Sequence, residues 1–321
     1  MGPEPLNGIP TEPQLRYRLG IDVGGTFTDY VLQDRETGGL TVGKHPTRPA
    51  DLTDGILQGL ETVLQERGIA QMEQVVHATT VASNLMVERK GAVTGLLTTQ
   101  GFRDVLLIQR QLRVNIYDLF LDKVQPLLAR RFIREVDERM THTGEAWRSL
   151  DEGSVLRAVE SLRGLGVESF AVALLHSYAN PSHERRVRDI VLESFPSALV
   201  TLSSDISPQW REYERTSTAV ANAYVMPAVR GYLRRFEDTL KDDGYARALQ
   251  VMQANGGIAT VEVINRSPVR LIESGPAAGA LMAASMARAL DLDRVISFDM
   301  GGTTAKVCLI EGGVPSSASR I

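Results

Sequence analysis

The sequence predicts an α/β protein in which strands and helices alternate along most of the chain. Short apolar runs of strand length are separated by segments whose apolar residues recur at helical spacing, which indicates layers of both elements. In addition, one strand–turn–strand pattern occurs twice: an apolar run, Asp, one apolar residue, Gly-Gly-Thr and a second apolar run. The two copies contain Asp22 and Asp299. Turn chemistry alone explains one copy easily but two matched copies poorly.

The first copy is predicted to be a β-hairpin that turns at Gly24 and Gly25. Glycine lets the backbone approach a ligand closely, so the N–H groups of this turn can converge on an anion. Thr26 and Thr28 add hydroxyl donors. Asp22 repels a bare phosphate but suits a hydrated Mg²⁺ that lies between the carboxylate and a phosphate. For one hairpin alone, an ordinary Gly-Gly turn beside an aspartate is the alternative.

The second copy places Asp299 in the position that Asp22 holds in the first. Its predicted phosphate-binding turn consists of Gly301, Gly302, Thr303 and Thr304. We therefore predict two hairpins that face one polyphosphate, with Asp22 and Asp299 holding Mg²⁺ through water.

A third candidate is the Ser-Gly-Pro sequence that begins at Ser274. Pro276 suits the first position of a helix, where its missing N–H costs nothing. Small residues leave that helix end open, and the N–H groups exposed there attract anions. Ser274 and Gly275 are therefore predicted phosphate contacts. Close packing of a helix made of small residues is the alternative.

The remaining elements follow from apolar spacing and from turn residues, taken in chain order. Strands are predicted at residues 40–44, 75–80, 95–99, 169–175 and 198–202, and helices at 51–67, 81–90, 150–165, 181–193, 210–241 and 280–290. Residues 132–140 alternate apolar and charged side chains, which predicts an antiparallel strand with one solvated face. The helix at 210–241 is expected to break near Pro227, and residues 203–208 resemble a linker.

Composition limits the class of protein. The 321 residues are about two domains long, and 43% hydrophobic and 23% charged residues are typical of a globular protein. A net charge of −4 without a basic run makes nucleic acid an unexpected partner. Cys308 is the only cysteine, which fits a reducing, cytoplasmic location. No apolar stretch has the length of a membrane span, so no membrane partner is expected.

The chain resembles the ATP-dependent hydantoinase/oxoprolinase family over residues 16–313. The motifs that carry this resemblance are residues 20–29, 79–84, 101–104, 213–218, 252–257, 274–279 and 299–304. The resemblance implies the actin-like ATPase superfold, which sugar kinases and heat-shock chaperones share. It has two related lobes, with ATP in the cleft and one phosphate hairpin from each lobe.

The domain expectations also come from this resemblance. We expect a flexible tail at residues 1–15, an N-terminal lobe at 16–203 and the start of a second lobe at 204–321. Family members usually continue for several hundred residues, so the second lobe is expected to be incomplete. The chain has Ala78 where the family often has glycine, and Lys306 where many members have an acidic residue. Metal binding by the second hairpin therefore depends on Asp299.

The resemblance implies ATP- and Mg²⁺-dependent hydrolysis of a cyclic amide of the hydantoin or 5-oxoproline type. Phosphorylation of the amide oxygen creates a good leaving group, and phosphoryl transfer depends on positioning and charge stabilisation. A second, hydantoinase B-type subunit or domain and an oligomeric assembly are expected. Two alternatives stay open. One is the ATP-using subunit of an acetone-carboxylase-type ketone carboxylase, and the other is a nucleotide-binding regulatory domain without its own substrate.

Roles follow for the remaining candidates. Asp22, Asp29 and Asp299 are predicted catalytic residues; Asp29 orients the nucleophile, or is merely a solvated carboxylate at a strand edge. Thr79 and Thr80 follow a strand that contains His77, at the end where open α/β sheets bind ligands. These three residues and Arg110 are predicted substrate contacts. The alternatives are a structural histidine and a surface ion pair of Arg110.

Overall fold

The computed structural model describes residues 15–48, 51–112, 117–118, 120, 124–300 and 305–316. Residues 1–14 of the tail predicted at 1–15, and the turn at 301–304, lie outside these residues. The chain splits into two compact units. Unit 1 comprises Met1–Thr80, Tyr232–Val261 and Glu273–Ile321, and unit 2 comprises Val81–Gly231 and Glu262–Ile272. The boundary expected between residues 203 and 204 concerns lobes of the superfold, and it stays a prediction.

Strands and helices alternate through most of the described chain. The strands are β1 (Tyr17–Val23), β2 (Phe27–Asp34), β3 (Leu40–Pro46), β4 (Met72–Thr79), β5 (Thr94–Thr99), β6 (Ile133–Val136), β7 (Arg139–Met140), β8 (Ala146–Arg148), β9 (Ser169–Ala173), β10 (Leu199–Leu202), β11 (Gln250–Met252), β12 (Ile258–Thr260), β13 (Arg294–Met300), β14 (Ala305–Glu311) and β15 (Val314–Pro315). The α-helices are α1 (Leu52–Leu64), α2 (Val81–Val87), α3 (Val105–Ile108), α4 (Glu152–Arg163), α5 (Ser182–Ser194), α6 (Ser203–Ile206), α7 (Glu212–Asp242), α8 (Val261–Arg266) and α9 (Ser274–Ala289). Short 3₁₀ helices lie at Ile69–Gln71, Arg130–Phe132 and Pro268–Leu271.

The main sheet of unit 1 has six strands in the order β12-β11-β4-β1-β2-β3. Strand β1 pairs antiparallel with β2 and parallel with β4. Alternate residues of β1 and β2 are buried, as a half-buried sheet requires. The hydroxyl of Tyr30 on β2 donates to the carbonyl of Ile56 at 2.9 Å and ties α1 to the sheet. Helix α1 starts as predicted, because the Asp51 side chain accepts from the N–H of Asp54.

A second sheet in unit 1 consists of β13, β14 and β15 in that order, with α9 against it. Helix α9 begins at Ser274, earlier than the predicted start at residue 280. Pro276 is compatible with this start because N–H groups of the first turn have no partner inside the helix. Glu273 precedes the helix with a left-handed backbone, φ 67°.

Unit 2 is built on a parallel four-stranded sheet in the order β10-β9-β5-β6. Every residue of the inner strand β9 is buried. One face packs Phe170 and Val172 against α4 and α5, and the other packs Ala171 and Ala173 against Ala219 of α7. Burial of both faces is the usual state of a parallel sheet.

The predicted antiparallel strand at 132–140 is wrong. Strand β6 pairs parallel with β5, with Ile133 opposite Leu96, and the following β7 pairs antiparallel with β8 in a separate two-stranded ribbon. β6 is the last strand of its sheet, and in it Ile133 and Val136 are buried while Arg134 and Glu135 are half-buried. The mixture of apolar and charged residues records this partial exposure and carries no information about strand direction.

Two further expectations need correction. Helix α7 continues through Pro227 without a break. Buried neighbours on both sides, such as Val225 and Val229, favour the continuous helix over the cost of an interior proline, about 3 kcal/mol. Residues 203–208 are not a free linker, since the first four form α6. Ser203 is buried, and its hydroxyl donates to Glu184 at 2.6 Å.

Within the described ranges, no helix is both long enough and apolar enough to cross a membrane.

Candidate functional site

The first predicted hairpin is present, formed by β1 and β2. Its register pairs Asp22 with Asp29 and Val23 with Thr28. The N–H of Gly24 donates to the carbonyl of Phe27 at 3.0 Å and closes the turn. A Cβ on Gly24 would lie 2.9 Å from that carbonyl oxygen, so the turn requires glycine.

A threonine that the sequence did not single out supports this turn. The Thr47 hydroxyl donates to the carbonyl of Gly24 at 2.9 Å, and the Thr47 N–H donates to the carbonyl of Thr26 at 2.9 Å. The hydroxyl of Thr28 is buried and lies 3.0 Å from that of Thr47. Thr28 is thus committed to holding the turn, whereas Thr26 and Gly25 are exposed and available to a ligand. Thr47 lies in a proline-rich loop without a motif, so only the pairing of β2 with β3 could have indicated it.

Asp29 has a cation beside it. Lys44 lies opposite Asp29 in the β2–β3 register, and its Nζ is 2.9 Å from the carboxylate. The same ammonium lies 5.3 Å from the ring centroid of Phe27. Both ionic side chains are about half exposed. The predicted nucleophile-orienting carboxylate is therefore partly neutralised by the protein itself.

Several predicted residues gather where β1 and β4 end side by side. Val23 pairs with Thr79 in this parallel register. The N–H and the hydroxyl of Thr80 both donate to the carbonyl of Val23, at 3.1 and 3.2 Å. The Ser274 hydroxyl donates to the carbonyl of Thr79 at 3.3 Å and fixes the start of α9 there. The structure thus brings Asp22, Thr79, Thr80, Ser274 and Gly275 to one sheet edge, although Thr79 and Ser274 are buried.

The second predicted hairpin is present as β13 and β14, while its turn residues Gly301, Gly302, Thr303 and Thr304 lie outside the described residues. The register places Asp299 opposite Lys306, as Asp22 is opposite Asp29 in the first hairpin. Lys306 forms an ion pair with Glu273. The two hairpins therefore match in register but differ in charge at the second position.

The two hairpin carboxylates share one electrostatic environment inside unit 1. The pKa of Asp22 is raised, first by partial loss of hydration and then by the negative charges of Asp29 and Asp299. Asp22 keeps solvent contact while the surrounding protein reduces its hydration. No ion-pair partner of Asp22 or Asp299 is found in the described part of the chain. Two carboxylates that sense each other's charge and form no ion pair among the described residues suit a hydrated divalent ion.

His77 does not lie on an accessible substrate face. It is fully buried in unit 1, and its Nε2 is 2.8 Å from the hydroxyl of Tyr232. Its ring also packs edge-on against Phe236 of α7. Burial lowers the pKa of His77 to about 4, so the imidazole is neutral at pH 7. These contacts favour the structural alternative, and we propose no substrate contact for His77.

Arg110 lies in unit 2 and pairs with Glu214 at 2.7 Å. This is the surface ion pair weighed as its alternative, and substrate binding by Arg110 stays a prediction. Unit 2 also contains a cavity of about 450 Å³ that the sequence did not indicate. Its described lining is mostly apolar and includes Leu106, Leu127 and Val220. Arg89 at its border already donates to the carbonyls of Gln125 and Pro126.

Comparison with known proteins gives consistent matches. The Hydantoinase/oxoprolinase N-terminal region profile matches residues 18–195, and the Hydantoinase/oxoprolinase profile matches residues 215–320. An uncharacterized protein of Methanocaldococcus jannaschii is 40% identical, with 93% of this chain and 44% of that protein covered. The caprolactamase subunit alpha of Pseudomonas jessenii is 35% identical, with 93% and 44% covered. The nucleotide-free structure of acetone carboxylase matches with a TM-score of 0.85 at 30% identity, covering 93% of this chain and 44% of that one.

The similarity to acetone carboxylase confirms the predicted fold class, a mixed α/β chain of the actin-like ATPase type. The chain spans less than half the length of the relatives it matches.

Proposed function

The chain belongs to the hydantoinase/oxoprolinase family, and we propose that it carries the ATP-binding part of an enzyme that hydrolyses a cyclic amide. The substrate class we favour is a hydantoin, a 5-oxoproline or a related lactam. This choice is supported by the family and by the caprolactamase relative. Ring opening at neutral pH needs activation, and ATP supplies it when bound by phosphorylating the amide oxygen.

One observation carries this proposal. Asp22 and Asp299 occupy equivalent register positions in two hairpins of one compact unit, and the charge of Asp299 raises the pKa of Asp22. Two isolated Gly-Gly turns would not place their carboxylates within electrostatic reach of each other. A shared divalent cation and polyphosphate explain why both hairpins keep this carboxylate.

The residues of the two hairpins are proposed to have the following roles. Asp22 and Asp299 hold Mg²⁺ through its water ligands. The N–H of Gly25 and the hydroxyl of Thr26 are proposed to bind phosphate oxygens, in the geometry that Thr47 maintains. Gly24, whose N–H closes the turn, is proposed to let the backbone approach the phosphate closely. Gly301, Gly302, Thr303 and Thr304 are proposed to do the same for the second hairpin.

Asp29 is proposed to orient the nucleophile, since it faces the same side of the hairpin as Asp22. Lys44 contacts the Asp29 carboxylate directly and holds it in place on this face. Thr80 borders the same sheet edge and is proposed to line the substrate side. Gly275, next to Thr80, stays a proposed phosphate contact.

A ketone carboxylase is the second candidate, because acetone carboxylase is similar over 93% of the chain. The same hairpins would then serve phosphorylation of an enolate and of bicarbonate. A nucleotide-binding regulatory domain is the third. In the first two cases we propose a second subunit or domain, of the hydantoinase B type for an amidohydrolase, and an oligomeric assembly. A cytoplasmic location is also proposed, on the single cysteine.

The test is Mg-ATP hydrolysis by the complete protein together with its partner. Stimulation by a hydantoin, 5-oxoproline or caprolactam supports the amidohydrolase. Stimulation by a ketone only when bicarbonate is present would select the carboxylase. Nucleotide binding that no substrate affects would select the regulatory domain. The variant Asp22→Asn is the matched control, and its turnover is expected to fall at least a hundredfold with folding intact.

A further inference from the structure

We propose that Lys306 is the phosphate-binding cation of the second hairpin, and that Glu273 is its partner while the site holds no phosphate. This inference rests on the proposed polyphosphate site and assigns to it a residue that the Gly-Gly-Thr motif does not contain. Lys306 then supplies positive charge from the protein itself, in addition to the metal held by Asp22 and Asp299.

The argument begins with the register of the two hairpins. Asp299 and Lys306 are directly opposite each other across β13 and β14, and Asp22 and Asp29 are opposite across β1 and β2. Directly opposite residues project to the same face of a sheet, with Cβ atoms about 4.5–5.5 Å apart. Lys306 therefore lies on the same face as the carboxylate that interacts with Asp22. An ammonium on a four-carbon stem can reach a ligand at that face.

The contacts of Lys306 do not bury it. Its side chain is about one-third exposed, and its partner Glu273 is half exposed. Such pairs add little to stability, so a phosphate can displace the carboxylate at small cost. A terminal phosphate group, with about two negative charges at neutral pH, also attracts an ammonium more strongly than one carboxylate does.

The position of Glu273 in the sequence places it next to the site. It directly precedes Ser274, whose hydroxyl is bonded to the carbonyl of Thr79 at the ends of β1 and β4. The Glu273–Lys306 pair thus joins the start of α9 to the second hairpin beside the predicted phosphate turn. When Lys306 moves to a phosphate, Glu273 loses a cation and the affinity for the ligand is reduced by that loss.

The experiment measures binding of inorganic tripolyphosphate with Mg²⁺ to the 321-residue chain, by calorimetry and by thermal shift. This probe does not need a purine site. Lys306→Gln is expected to weaken binding about tenfold, and Lys306→Arg to keep it within about threefold. Glu273→Gln is expected to strengthen binding severalfold, and to have no effect when Lys306→Gln is already present. Lys241→Gln is the matched control, since Lys241 also pairs with a glutamate in unit 1, at 3.0 Å.

Circular dichroism of each variant separates loss of binding from loss of folding, and Lys306→Arg preserves the ion pair. If Lys306→Gln binds tripolyphosphate as the wild type does while Asp22→Asn loses binding, the polyphosphate site stands and the role of Lys306 is wrong. If Glu273→Gln weakens binding as much as Lys306→Gln, the pair is structural and the inference is also wrong. A wild-type chain that binds no tripolyphosphate would overturn both the inference and the proposed phosphate site.

Discussion

The hydroxyl of Tyr232 lies 2.8 Å from Nε2 of His77, and both side chains are buried in unit 1. This contact links α7 to the central strand β4, although the two residues are far apart in sequence. The neutral imidazole can share one hydrogen with the tyrosine hydroxyl, whereas a second ring proton would bring a charge into the core. The pair therefore connects the stability of unit 1 to pH.

The first prediction concerns that connection. The pKa of His77 is about 4 in the folded chain and near 6.5 when unfolded, so the unfolded state binds the proton more readily. The stabilising contribution is complete above pH 6.5 and is lost as the pH falls toward 4. The free energy of unfolding should fall by at most about 1.4 kcal/mol per pH unit from this group. Urea unfolding at a series of pH values measures it.

His77→Phe should lack this component between pH 6.5 and 4, whatever its overall stability. His142→Gln removes an exposed histidine of unit 2 and should follow the wild-type pH dependence. An unchanged pH dependence in His77→Phe would show that the buried imidazole does not resist protonation.

The second prediction concerns Asp22. Its raised pKa means that this charge is unfavourable in the folded chain at neutral pH. The penalty is absent below the unfolded pKa of about 3.9 and grows as the pH rises through the folded value. Asp22→Asn should therefore stabilise the chain near pH 7, by on the order of 0.5 kcal/mol, and should lose this advantage in acid. The same variant should not bind Mg-tripolyphosphate.

Thermal melts at pH 7 and at pH 3.5, combined with calorimetry, check both parts. Destabilisation of Asp22→Asn at pH 7 would contradict the repulsion among Asp22, Asp29 and Asp299.

The third prediction concerns the support of the first turn. Thr47→Val keeps the shape of the side chain but removes the hydroxyl that bonds to Gly24 and contacts Thr28. The free energy of unfolding should fall by about 1–2 kcal/mol, because the Thr28 hydroxyl is left buried without this partner. Affinity for Mg-tripolyphosphate should fall severalfold, since the turn is less well held. Thr41→Val on β3, the strand that precedes Thr47, is the control, and equal effects of both variants would exclude a special role of Thr47.

The fourth prediction concerns Glu184 in unit 2. This buried carboxylate accepts from the N–H of Leu174 at 2.9 Å and from Ser203 and Ser204. Glu184→Ala should cost about 3–5 kcal/mol in the free energy of unfolding, because these donors lose a buried charged acceptor. Glu193→Ala on the exposed side of α5 should cost less than about 1 kcal/mol. A small effect of Glu184→Ala in urea unfolding would mean that α6 is held by other contacts.

The fifth prediction concerns the 321-residue chain by itself. One face of β13 and β14 exposes a set of large apolar side chains, Ile296, Phe298, Met300, Val307 and Leu309. Contiguous exposed apolar surface favours association, so this chain should self-associate. Each phosphate hydrogen bond contributes only about 0.5–1.5 kcal/mol net, so we also expect weak binding of Mg-ATP, and no amidohydrolase activity from this chain alone. Light scattering and calorimetry measure these properties. The double variant Phe298→Ser and Val307→Thr should reduce scattering, whereas Trp147→Ser in unit 2 should not; a monomeric wild-type chain with micromolar ATP affinity would contradict the prediction.

Local chemistry explains which features the sequence could predict. The hairpin around Gly24 follows from residues within a few positions of one another, as does the start of α1 at Asp51. The direction of a strand and the burial of a side chain depend on residues that are distant in the sequence. The mixed apolar and charged residues of strand β6 predict an antiparallel strand, although its partner β5 runs parallel to it. Pro227 lies inside α7 because burial around it outweighs its local preference.

The same distinction applies to the site. Asp22 and Asp299 could be predicted because each belongs to a repeated motif. The burial of His77 depends on Tyr232 and Phe236, which contact its ring although they lie far from it in the sequence. Thr47 belongs to no motif, and its role depends on the pairing of β3 with β2.

The register of the two hairpins makes the proposed phosphate site asymmetric in charge. Two identical hairpins related by symmetry would offer the same surroundings to either end of a linear chain of phosphates. Here one hairpin presents Asp29 and the other presents Lys306 at the equivalent position. A linear ligand in one orientation and the same ligand reversed therefore meet opposite charges at their ends. This difference in charge favours one orientation of the linear ligand over the other.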